Sequence, residues 1–383
     1  MNKALIITTT SGFLSQFELN NVRLLQKKGY QVHYATNFGV PIYEVKDETL
    51  RNMGVVLHHI SIEKNPFKIK KNIWALRELI RIIDREAISV VHCHNPNGGV
   101  LGRLAAPVKN WLFYYPAEKV LAKFSDIIIT INHEDYTRAD KFHYKKDGGA
   151  ALIPGVGVDL EKFYPLKEDE VHERDTLRKD LGIPEHAFHI VSAGEINKNK
   201  NHRVVIEAIA KLARSDIYYS ICGEGPNRKN LETEIKKYGL SDRVFLQGYR
   251  NDMPKIWRTA DISVFPSLRE GMGMAGLEAM ASGIPLIAAD NRGTREYLID
   301  QENGLVCNAA SADEFAKAIL SLYENKEQRQ RYAARAQNTV EKFSLHESAA
   351  KMSQIYQKLP KVPEVTIEND RERPMISVIM GVY

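Results

Sequence analysis

Two carboxylates lie eight residues apart in the glycine-rich segment 269–285. Glu270 falls on a loop, and Glu278 falls inside the helix that this loop opens. Glycine lets a backbone pass close to a ligand, and the free amides at the start of a helix attract an anion. The segment therefore predicts a site for a polyol joined to a phosphate.

A second set of polar residues follows an apolar strand predicted at residues 189–193. Gly194 begins a loop that carries two lysines, Lys198 and Lys200, together with three asparagines. Such a concentration of donors at a strand exit suits a diphosphate whose negative charge grows as it departs. The alternative is a solvated loop that caps the next helix.

Three further strand exits carry turns that suit a ligand. Gly12 follows the first predicted strand and Gly223 follows the strand at 218–222, and each lets backbone amides approach a phosphate. Arg250, after the strand at 244–247, is placed to frame a planar nucleobase. An ordinary turn is the alternative at each of these positions.

The histidines do not predict a metal site. His92 and His94 flank Cys93 on a predicted strand, so the two imidazoles share one side of it. Two histidines with no carboxylate or thiolate in plausible company do not make a metal site. We expect them instead to be polar residues that line a cleft.

Short apolar strands alternate with amphipathic helical stretches, a pattern typical of parallel sheets covered by helices on both faces. The predicted strands lie at residues 4–8, 31–35, 55–58, 90–92 and 127–131, and then at 189–193, 218–222, 244–247, 262–265, 286–289 and 305–307. With 383 residues, 44% of them hydrophobic, the chain can bury two cores. We therefore predict an α/β protein of two doubly wound, Rossmann-like domains that face a central cleft.

Two places interrupt this alternation. A segment with Pro and Gly at 153–159 precedes a charged stretch at 167–179 that we expect to be mobile, so a hinge or domain boundary is predicted there. In the first half, helical patterns at 98–106 and 108–123 follow each other across Pro107 with no strand between them. Either this domain lacks a strand or a segment has been lost from the chain.

Composition limits the classes of partner. Basic and aromatic residues interleave at 68–74 and 109–115 in a chain of net charge +5, and such stretches can rest on an anionic membrane surface. Packing of amphipathic helices in a core is the alternative. Nucleic acid is not predicted, because no strongly basic domain or known module is present. Three cysteines without paired spacing, and no run of about 20 apolar residues, predict a cytoplasmic protein at the periphery of a membrane.

A family resemblance rests on several of these motifs taken in chain order. They are the Gly12 turn, the 154–159 linker, the Lys198 and Lys200 loop, the 223–226 turn, and the Glu270 and Glu278 element. Together they closely resemble the retaining glycosyltransferases of family 4 over about residues 1–358. The runs 17–25 and 109–116 are similar to bacterial members that extend exopolysaccharide or capsular repeat units on a lipid carrier.

The resemblance implies a GT-B architecture. The N-terminal Rossmann-like acceptor domain would span 1–155, the nucleotide-sugar donor domain 156–345 and a closing helix 346–360. The enzyme would transfer a hexosyl or N-acetylhexosaminyl group from a UDP-sugar to a polyprenyl-diphosphate-linked glycan, with retention of configuration and with no metal or other cofactor. It would lie on the inner face of the cell membrane.

The same resemblance implies roles for individual residues. Glu270 and the backbone amides of 271–274 would hold the donor sugar, Glu278 the ribose hydroxyls, and Lys200 would neutralise the departing diphosphate. The predicted catalytic residues are thus Glu270 and Lys200. The further predicted donor-binding residues are Gly12, Gly194, Lys198, Gly223, Arg250, Gly271, Met272, Gly273, Met274 and Glu278.

Three departures from the family pattern keep other functions open. Glu195 stands where most members carry an arginine, so Lys198 would supply the missing charge. A strand ending in a His-Gly pair is missing near 106/107, and the polar linker at 361–373 leads to a strand at 375–383 that resembles the start of a family 2 glycosyltransferase. The alternatives are a non-catalytic or impaired sugar-nucleotide-binding module and a GT-B-fold sugar-nucleotide epimerase.

Overall fold

The computed structural model describes residues 2–39, 47–63, 68–94, 119, 122–144, 147–357 and 375–380. Contacts between residues divide the chain into two compact units. The first unit combines Met1–Val156 with His346–Val382, and the second runs from Gly157 to Leu345. Each unit is built on its own parallel sheet.

The first unit contains a seven-stranded sheet in the order β3-β2-β1-β4-β13-β5-β6. Its strands are β1 (Lys3–Ile7), β2 (Gln31–Thr36), β3 (Val56–His59), β4 (Val90–Cys93), β5 (Ile127–Thr130), β6 (Gly149–Leu152) and β13 (Met375–Met380). Every pairing in this sheet is parallel. In β1, Ala4, Leu5, Ile6 and Ile7 are all buried, which is the continuous apolar pattern of a strand covered on both faces.

Helices cover the sheet of the first unit. They are α1 (Phe13–Phe17), α2 (Leu19–Lys27), α3 (Asp47–Asn52), α4 (Ile69–Glu86), α5 (His133–Ala139) and, from the far end of the chain, α13 (Leu345–Gln357). Glu18 lies between α1 and α2 and separates the two helices. Met352, Ile355 and Tyr356 of α13 pack into the same core as Ala4.

The strand β13 lies inside the first sheet, between β4 and β5. Met375 is in register with Val90 on one side, and Ser377 is in register with Ile127 on the other. The strand predicted to be missing near 106/107 lies outside the described residues. The tail of the chain thus supplies the strand that joins β4 to β5 in the described sheet.

The second unit contains a six-stranded parallel sheet in the order β12-β11-β10-β7-β8-β9. Its strands are β7 (Phe188–Ala193), β8 (Ile217–Cys222), β9 (Val244–Gly248), β10 (Ile262–Phe265), β11 (Leu286–Ala289) and β12 (Gly304–Cys307). The helices are α6 (Val171–Asp180), α7 (His202–Leu212), α8 (Arg228–Lys237), α9 (Met253–Trp257), α10 (Met274–Ala281), α11 (Ala312–Glu324) and α12 (Lys326–Val340). The prediction that residues 167–179 are mobile was wrong, because a 3-10 helix at Glu168–Glu170 continues into α6.

Helices pack on both faces of the second sheet. Val205 of α7 and Phe315 of α11 belong to a core that includes Ile190 of β7. Trp257 of α9 and Ala279 of α10 belong to another, which includes Val191, the next residue of the same strand. Because neighbouring strand residues point to opposite faces, the sheet is covered on both sides. The predicted α/β class with two doubly wound parallel sheets is confirmed.

Candidate functional site

Two loops meet at the carboxyl ends of β7 and β10 in the second unit. The backbone N–H of Leu268 donates to the carbonyl of Asn199 (2.8 Å), and Asn199 Nδ2 donates to the carbonyl of Arg269 (2.9 Å). Asn201 Nδ2 adds a third bond, to the carbonyl of Pro266 (3.2 Å). These neighbouring strands end at the same edge of the sheet, and their polar loops are therefore held together as one surface.

The two residues predicted to be catalytic form an ion pair across these loops. Lys200 Nζ lies 2.6 Å from Glu270 Oε1, and the two side chains are 20% and 13% exposed. The ammonium also lies 5.1 Å from the centroid of the Phe265 ring, and Asn197 Oδ1 accepts a bond from the Lys200 backbone N–H (2.9 Å). The pair is thus fixed in position yet open enough to exchange partners with an anionic ligand.

The start of α10 is built by close backbone packing around Gly273. This residue has a φ of 85°, and a Cβ there would lie 2.6 Å from the Phe265 ring. Tyr297 Oη donates to the Gly273 carbonyl (3.1 Å) and fixes the turn from below. The Met272 side chain is buried, so only its backbone can meet a ligand. The amides of 271–274 thus open a helix beside the Lys200 and Glu270 pair.

Glu278 occupies the second turn of α10 and is half-buried. Desolvation by the surrounding protein raises the pKa of its carboxyl to about 7. A carboxyl with this pKa changes charge near neutral pH. Its ability to accept hydrogen bonds from a polyol therefore depends on pH in the physiological range.

Gly194 and Gly223 lie in two turns that pack against each other, and a Cβ on Gly194 would lie 3.2 Å from the Lys200 side chain. A Cβ on Gly223 would lie 1.9 Å from the Gly194 carbonyl oxygen. The Gly223 backbone N–H donates to the Gly248 carbonyl (2.7 Å), and the Gly194 N–H donates to the Cys222 carbonyl (3.0 Å). Packing alone requires glycine at 223, and donor binding at Gly194 and Gly223 stays a prediction.

The other predicted donor-binding residues have more varied surroundings. Arg250 makes a two-bond contact with Asp252, with Nε 2.9 Å and Nη2 2.6 Å from its carboxylate oxygens. Lys198 and Glu195 are both exposed on the loop after β7. Gly12 belongs to the first unit, where it has a φ of 82° and precedes α1. Donor binding at these positions stays a prediction.

Residues 291–297, which the sequence patterns did not single out, contact the loop at 266–273 between β10 and α10, called the donor-side loop below. Asn291 Nδ2 donates to the Ser267 carbonyl (3.0 Å), and Arg292 Nε lies 3.4 Å from the Glu270 carbonyl. With the bond from Tyr297 described above, the segment contacts the loop at Ser267, Glu270 and Gly273. The glycine turn Asn291-Arg292-Gly293, directly after β11, was the signal that could have found it.

The carboxyl ends of β1 and β4 in the first unit carry a different polar cluster. Glu18 and His94 are each 2% exposed, with His94 Nδ1 3.5 Å from Glu18 Oε1. Asn21 donates to the other Glu18 oxygen, and His92 Nδ1 lies 2.8 Å from Tyr356 Oη. The expectation that His92 and His94 line a cleft was wrong, because both side chains are buried, and Tyr356 of α13 packs against His92.

Burial sets the charge of this cluster. Desolvation raises the pKa of Glu18 to about 8 and lowers that of His92 to about 3. The pKa of His94 also lies well below its usual value, through burial and the neighbouring His92. At neutral pH the cluster is therefore uncharged.

In the described ranges of the chain, no three His, Cys, Asp or Glu side chains are grouped so that they could hold a metal ion. No helix in those ranges is both long enough and apolar enough to cross a bilayer.

Two units, each a parallel sheet covered by helices, form the α/β architecture that solved GT-B glycosyltransferases share. Two family models match the chain: glycosyl transferases group 1 over residues 173–339, and glycosyl transferase 4-like over residues 4–114. EpsD of Bacillus subtilis (strain 168), provisionally named a glycosyltransferase, is 34% identical over 92% of this chain and 96% of its own length. The chain therefore belongs to the group 1 glycosyl transferases, with a glycosyl transferase 4-like N-terminal region.

Other relatives extend the comparison. A protein of Escherichia coli named UDP-Gal:alpha-D-GlcNAc-diphosphoundecaprenol alpha-1,3-galactosyltransferase is 26% identical, covering 82% of this chain and 85% of that protein. Among solved structures, Anabaena HepE in complex with UDP and glucose superposes with a TM-score of 0.75 at 17% identity, covering 94% of this chain and all of HepE. Sucrose-phosphate synthase from Thermosynechococcus elongatus gives a TM-score of 0.76 at 18% identity, covering 94% of this chain and 99% of that structure. These structures share the fold.

Proposed function

We propose that the chain transfers a hexosyl or N-acetylhexosaminyl group from a UDP-sugar to a polyprenyl-diphosphate-linked glycan, with retention of configuration. The observation that carries this proposal is the Lys200 and Glu270 ion pair beside the first amides of α10. A nucleotide sugar presents both a diphosphate and a polyol, and this arrangement offers a partner to each.

Donor binding requires the ion pair to exchange partners. The Lys200 ammonium turns from Glu270 to the diphosphate, and the released Glu270 carboxylate accepts hydrogen bonds from the sugar hydroxyls. Glu278, one turn farther along α10, accepts from the ribose hydroxyls in its ionised form. Each negative or polar part of the donor then has a fixed partner before reaction.

The transfer step follows from this placement of charge. The bond between the anomeric carbon and the β-phosphate oxygen breaks while an acceptor hydroxyl bonds to the same face of that carbon. The acceptor proton passes to the leaving phosphate oxygen, so the products are UDP and the extended glycan. Lys200 and the helix amides stabilise the charge that develops on the diphosphate. No metal ion has a required role in this scheme.

The acceptor assignment draws on similar proteins. The Escherichia coli relative is named for transfer to a sugar on a diphosphoundecaprenol carrier, and EpsD is similar along almost its whole length. We infer that this chain acts in the assembly of exopolysaccharide or capsule repeat units, in the cytoplasm and on the inner face of the cell membrane. A lipid carrier keeps the acceptor at that surface.

The outward side of α4 suits contact with such a membrane. This α4 outer face consists of Ile73, Trp74, Arg77, Ile80 and Arg81, all exposed, with Trp74 at 51%. The opposite side of the helix packs Ala75, Leu79 and Ile82 into the first unit. Exposed apolar side chains interleaved with arginines match the interface of an anionic bilayer.

Transfer can be tested directly with purified protein. It is incubated with a panel of UDP-hexoses and UDP-N-acetylhexosamines and an undecaprenyl-diphosphate-linked acceptor, with and without EDTA, and products are identified by mass spectrometry and NMR. We expect one sugar to be added with its anomeric configuration kept, at the same rate in EDTA. Nucleotide binding without transfer would indicate a binding module, and isomerisation of a UDP-sugar without acceptor would indicate an epimerase.

Membrane contact is tested by flotation with phosphatidylglycerol-containing vesicles and with neutral vesicles. We expect the chain to float only with the anionic vesicles, and Trp74→Ala combined with Ile80→Ala to reduce this several-fold. Ile299→Ala is the matched control, because Ile299 is equally exposed but lies in the second unit. Equal loss in the control would contradict a role for the α4 outer face.

A further inference from the structure

The segment 291–297 packs against the donor-side loop and places the guanidinium of Arg292 beside it. Its three contacts reach Ser267, Glu270 and Gly273, which spans the loop from the end of β10 to the start of α10. The middle contact is made by Arg292, whose Nε lies 3.4 Å from the Glu270 carbonyl. The guanidinium is therefore located at the residue that also binds Lys200.

The backbone on either side of Arg292 is held by a compact set of bonds. Asn291 is buried, and its Oδ1 accepts from the N–H groups of Gly293 (3.0 Å) and Thr294 (3.1 Å). Thr294 Oγ1 donates to the carbonyl of Ala289 at the end of β11 (2.8 Å). The position of Arg292 is thus set by the sheet and not by a free loop.

Gly293 allows the segment to touch the donor-side loop. A Cβ at this position would lie 2.9 Å from Glu270 Cβ and equally close to the Met272 backbone nitrogen. Contacts that close would force the segment away from the loop. Glycine at 293 thus keeps Arg292 against the backbone whose amides open α10.

Charge balance at the site calls for a second cation. Lys200 is already paired with Glu270, and Glu195 adds a further exposed carboxylate to the same loop. A nucleoside diphosphate brings more than one negative charge, which a single ammonium cannot balance. Arginine is suited to this task because its planar guanidinium can bond two phosphate oxygens at once.

We propose that Arg292 is the second diphosphate-binding cation of the donor site, in place of Lys198. The inference rests on the proposed function, since it takes the ligand to be a nucleoside diphosphate. Lys198 is exposed on its loop, whereas Arg292 is half-buried and held against Glu270. Arg292, on the turn after β11, thus supplies the positive charge that the loop after β7 lacks at Glu195.

The proposal is tested by calorimetric titration of the full chain with UDP and with uridine. We expect Arg292→Gln to weaken UDP binding about 10- to 100-fold, the loss of a charge-assisted contact, and to leave uridine binding unchanged. Arg292→Lys should retain part of the UDP affinity. The dependence of UDP affinity on salt should also become weaker in Arg292→Gln, because one fewer cation meets the diphosphate.

Matched variants separate this role from general effects of charge. Arg295→Gln removes an exposed arginine on the same turn that bonds Asp290 (2.6 Å), and it should change UDP affinity less than twofold. Lys198→Gln tests the other assignment of this charge, and we expect it to lower UDP affinity less than Arg292→Gln does. Melting temperatures of all variants check folding, and Arg292→Lys serves where Arg292→Gln is unstable.

Several results would overturn the inference. Unchanged UDP affinity in Arg292→Gln, or a larger loss in Lys198→Gln, would assign the second cation elsewhere. Equal losses for UDP and uridine that Arg292→Lys does not rescue would make Arg292 a structural brace only. Wild-type protein that binds none of UDP, ADP and GDP would instead reject the proposed function, and with it this inference.

Discussion

The two units place polar residues at the same part of their sheets, the carboxyl ends of the central strands, but with opposite electrostatic results. In the second unit, Lys200 and Glu270 form a partly exposed ion pair. In the first unit, Glu18 and His94 are almost fully buried, and burial keeps both uncharged at neutral pH. The ion pair of the second unit can exchange a partner for a charged ligand, while the buried cluster of the first unit belongs to the core of its own fold.

The difference comes from what covers each strand end. The α13 helix returns from the end of the chain and places Tyr356 against His92, which removes water from the cluster of the first unit. In the second unit, the loops after β7 and β10 bond to each other and leave the ion pair at the surface. Exposure, more than residue type, therefore separates a binding site from a buried network.

The largest expected effect is on Glu270. Glu270→Gln should lower kcat about 10²- to 10³-fold, because the donor sugar loses a fixed acceptor and Lys200 loses its partner. Steady-state transfer kinetics measure this. Glu195→Gln is the control, since Glu195 is an exposed carboxylate that bonds Asn197 on the neighbouring loop, and it should stay within a few-fold of wild type. A comparable loss of kcat in both variants would contradict a specific role for Glu270.

The next effect tests whether the tail belongs to the first unit alone. Ser377→Pro removes a backbone donor from a strand that is paired on both sides, so a ladder hydrogen bond is lost and the first unit is destabilised. Hydrogen exchange should accelerate in β4 and β5 while β7 and β8 keep their protection. A uniform change across both sheets, or none in β4 and β5, would contradict the placement of β13.

A smaller effect concerns the stability of the first unit. The pKa of Glu18 is raised above its unfolded value of 4.5 to about 8, so the folded chain holds a proton that the unfolded chain releases. Stability from this group is fully present below pH 4.5 and is lost as pH rises towards 8, by roughly 2–3 kcal/mol between pH 6 and pH 8. Hydrogen exchange of β1 and β4 across this range measures the loss.

Two variants decide whether Glu18 is the cause. Glu18→Gln should remove the pH dependence of β1 and β4 exchange. Glu86→Gln should leave it in place, because Glu86 bonds Lys3 and its pKa is lowered, so it stays ionised throughout this range. A pH dependence that persists in Glu18→Gln would mean that Glu18 does not set the charge of the cluster.

The smallest effect is on nucleoside binding in the second unit. Glu278, with a pKa raised to about 7, must be ionised to accept from both ribose hydroxyls. Uridine affinity should therefore fall by up to about tenfold per pH unit below pH 7 and level off above it. Glu278→Gln should flatten this profile while Glu18→Gln keeps it. The reverse outcome would exchange the roles of Glu278 and Glu18.

Much of this arrangement could be predicted from the sequence, because local patterns carry it. Alternating strands and helices predicted β1 to β5 of the first sheet and all six strands of the second, but not β6. Parallel topology then required the Lys200 and Glu270 loops to end at one edge. The Arg292 segment was missed because its contact with Glu270 depends on β11 lying beside β10. The burial of Glu18 and His94 depends on Tyr356, and the position of β13 depends on pairing with distant strands, so neither has a local signal.

The central claim is that the loops after β7 and β10 hold a nucleotide sugar. Hydrogen exchange with mass spectrometry, with and without a saturating UDP-sugar, tests it most directly. We expect slower exchange in residues 194–200 and 268–276, and no change in α11, which packs elsewhere in the same unit. Saturable binding that leaves both loops unprotected, or that protects α11 instead, would contradict the account.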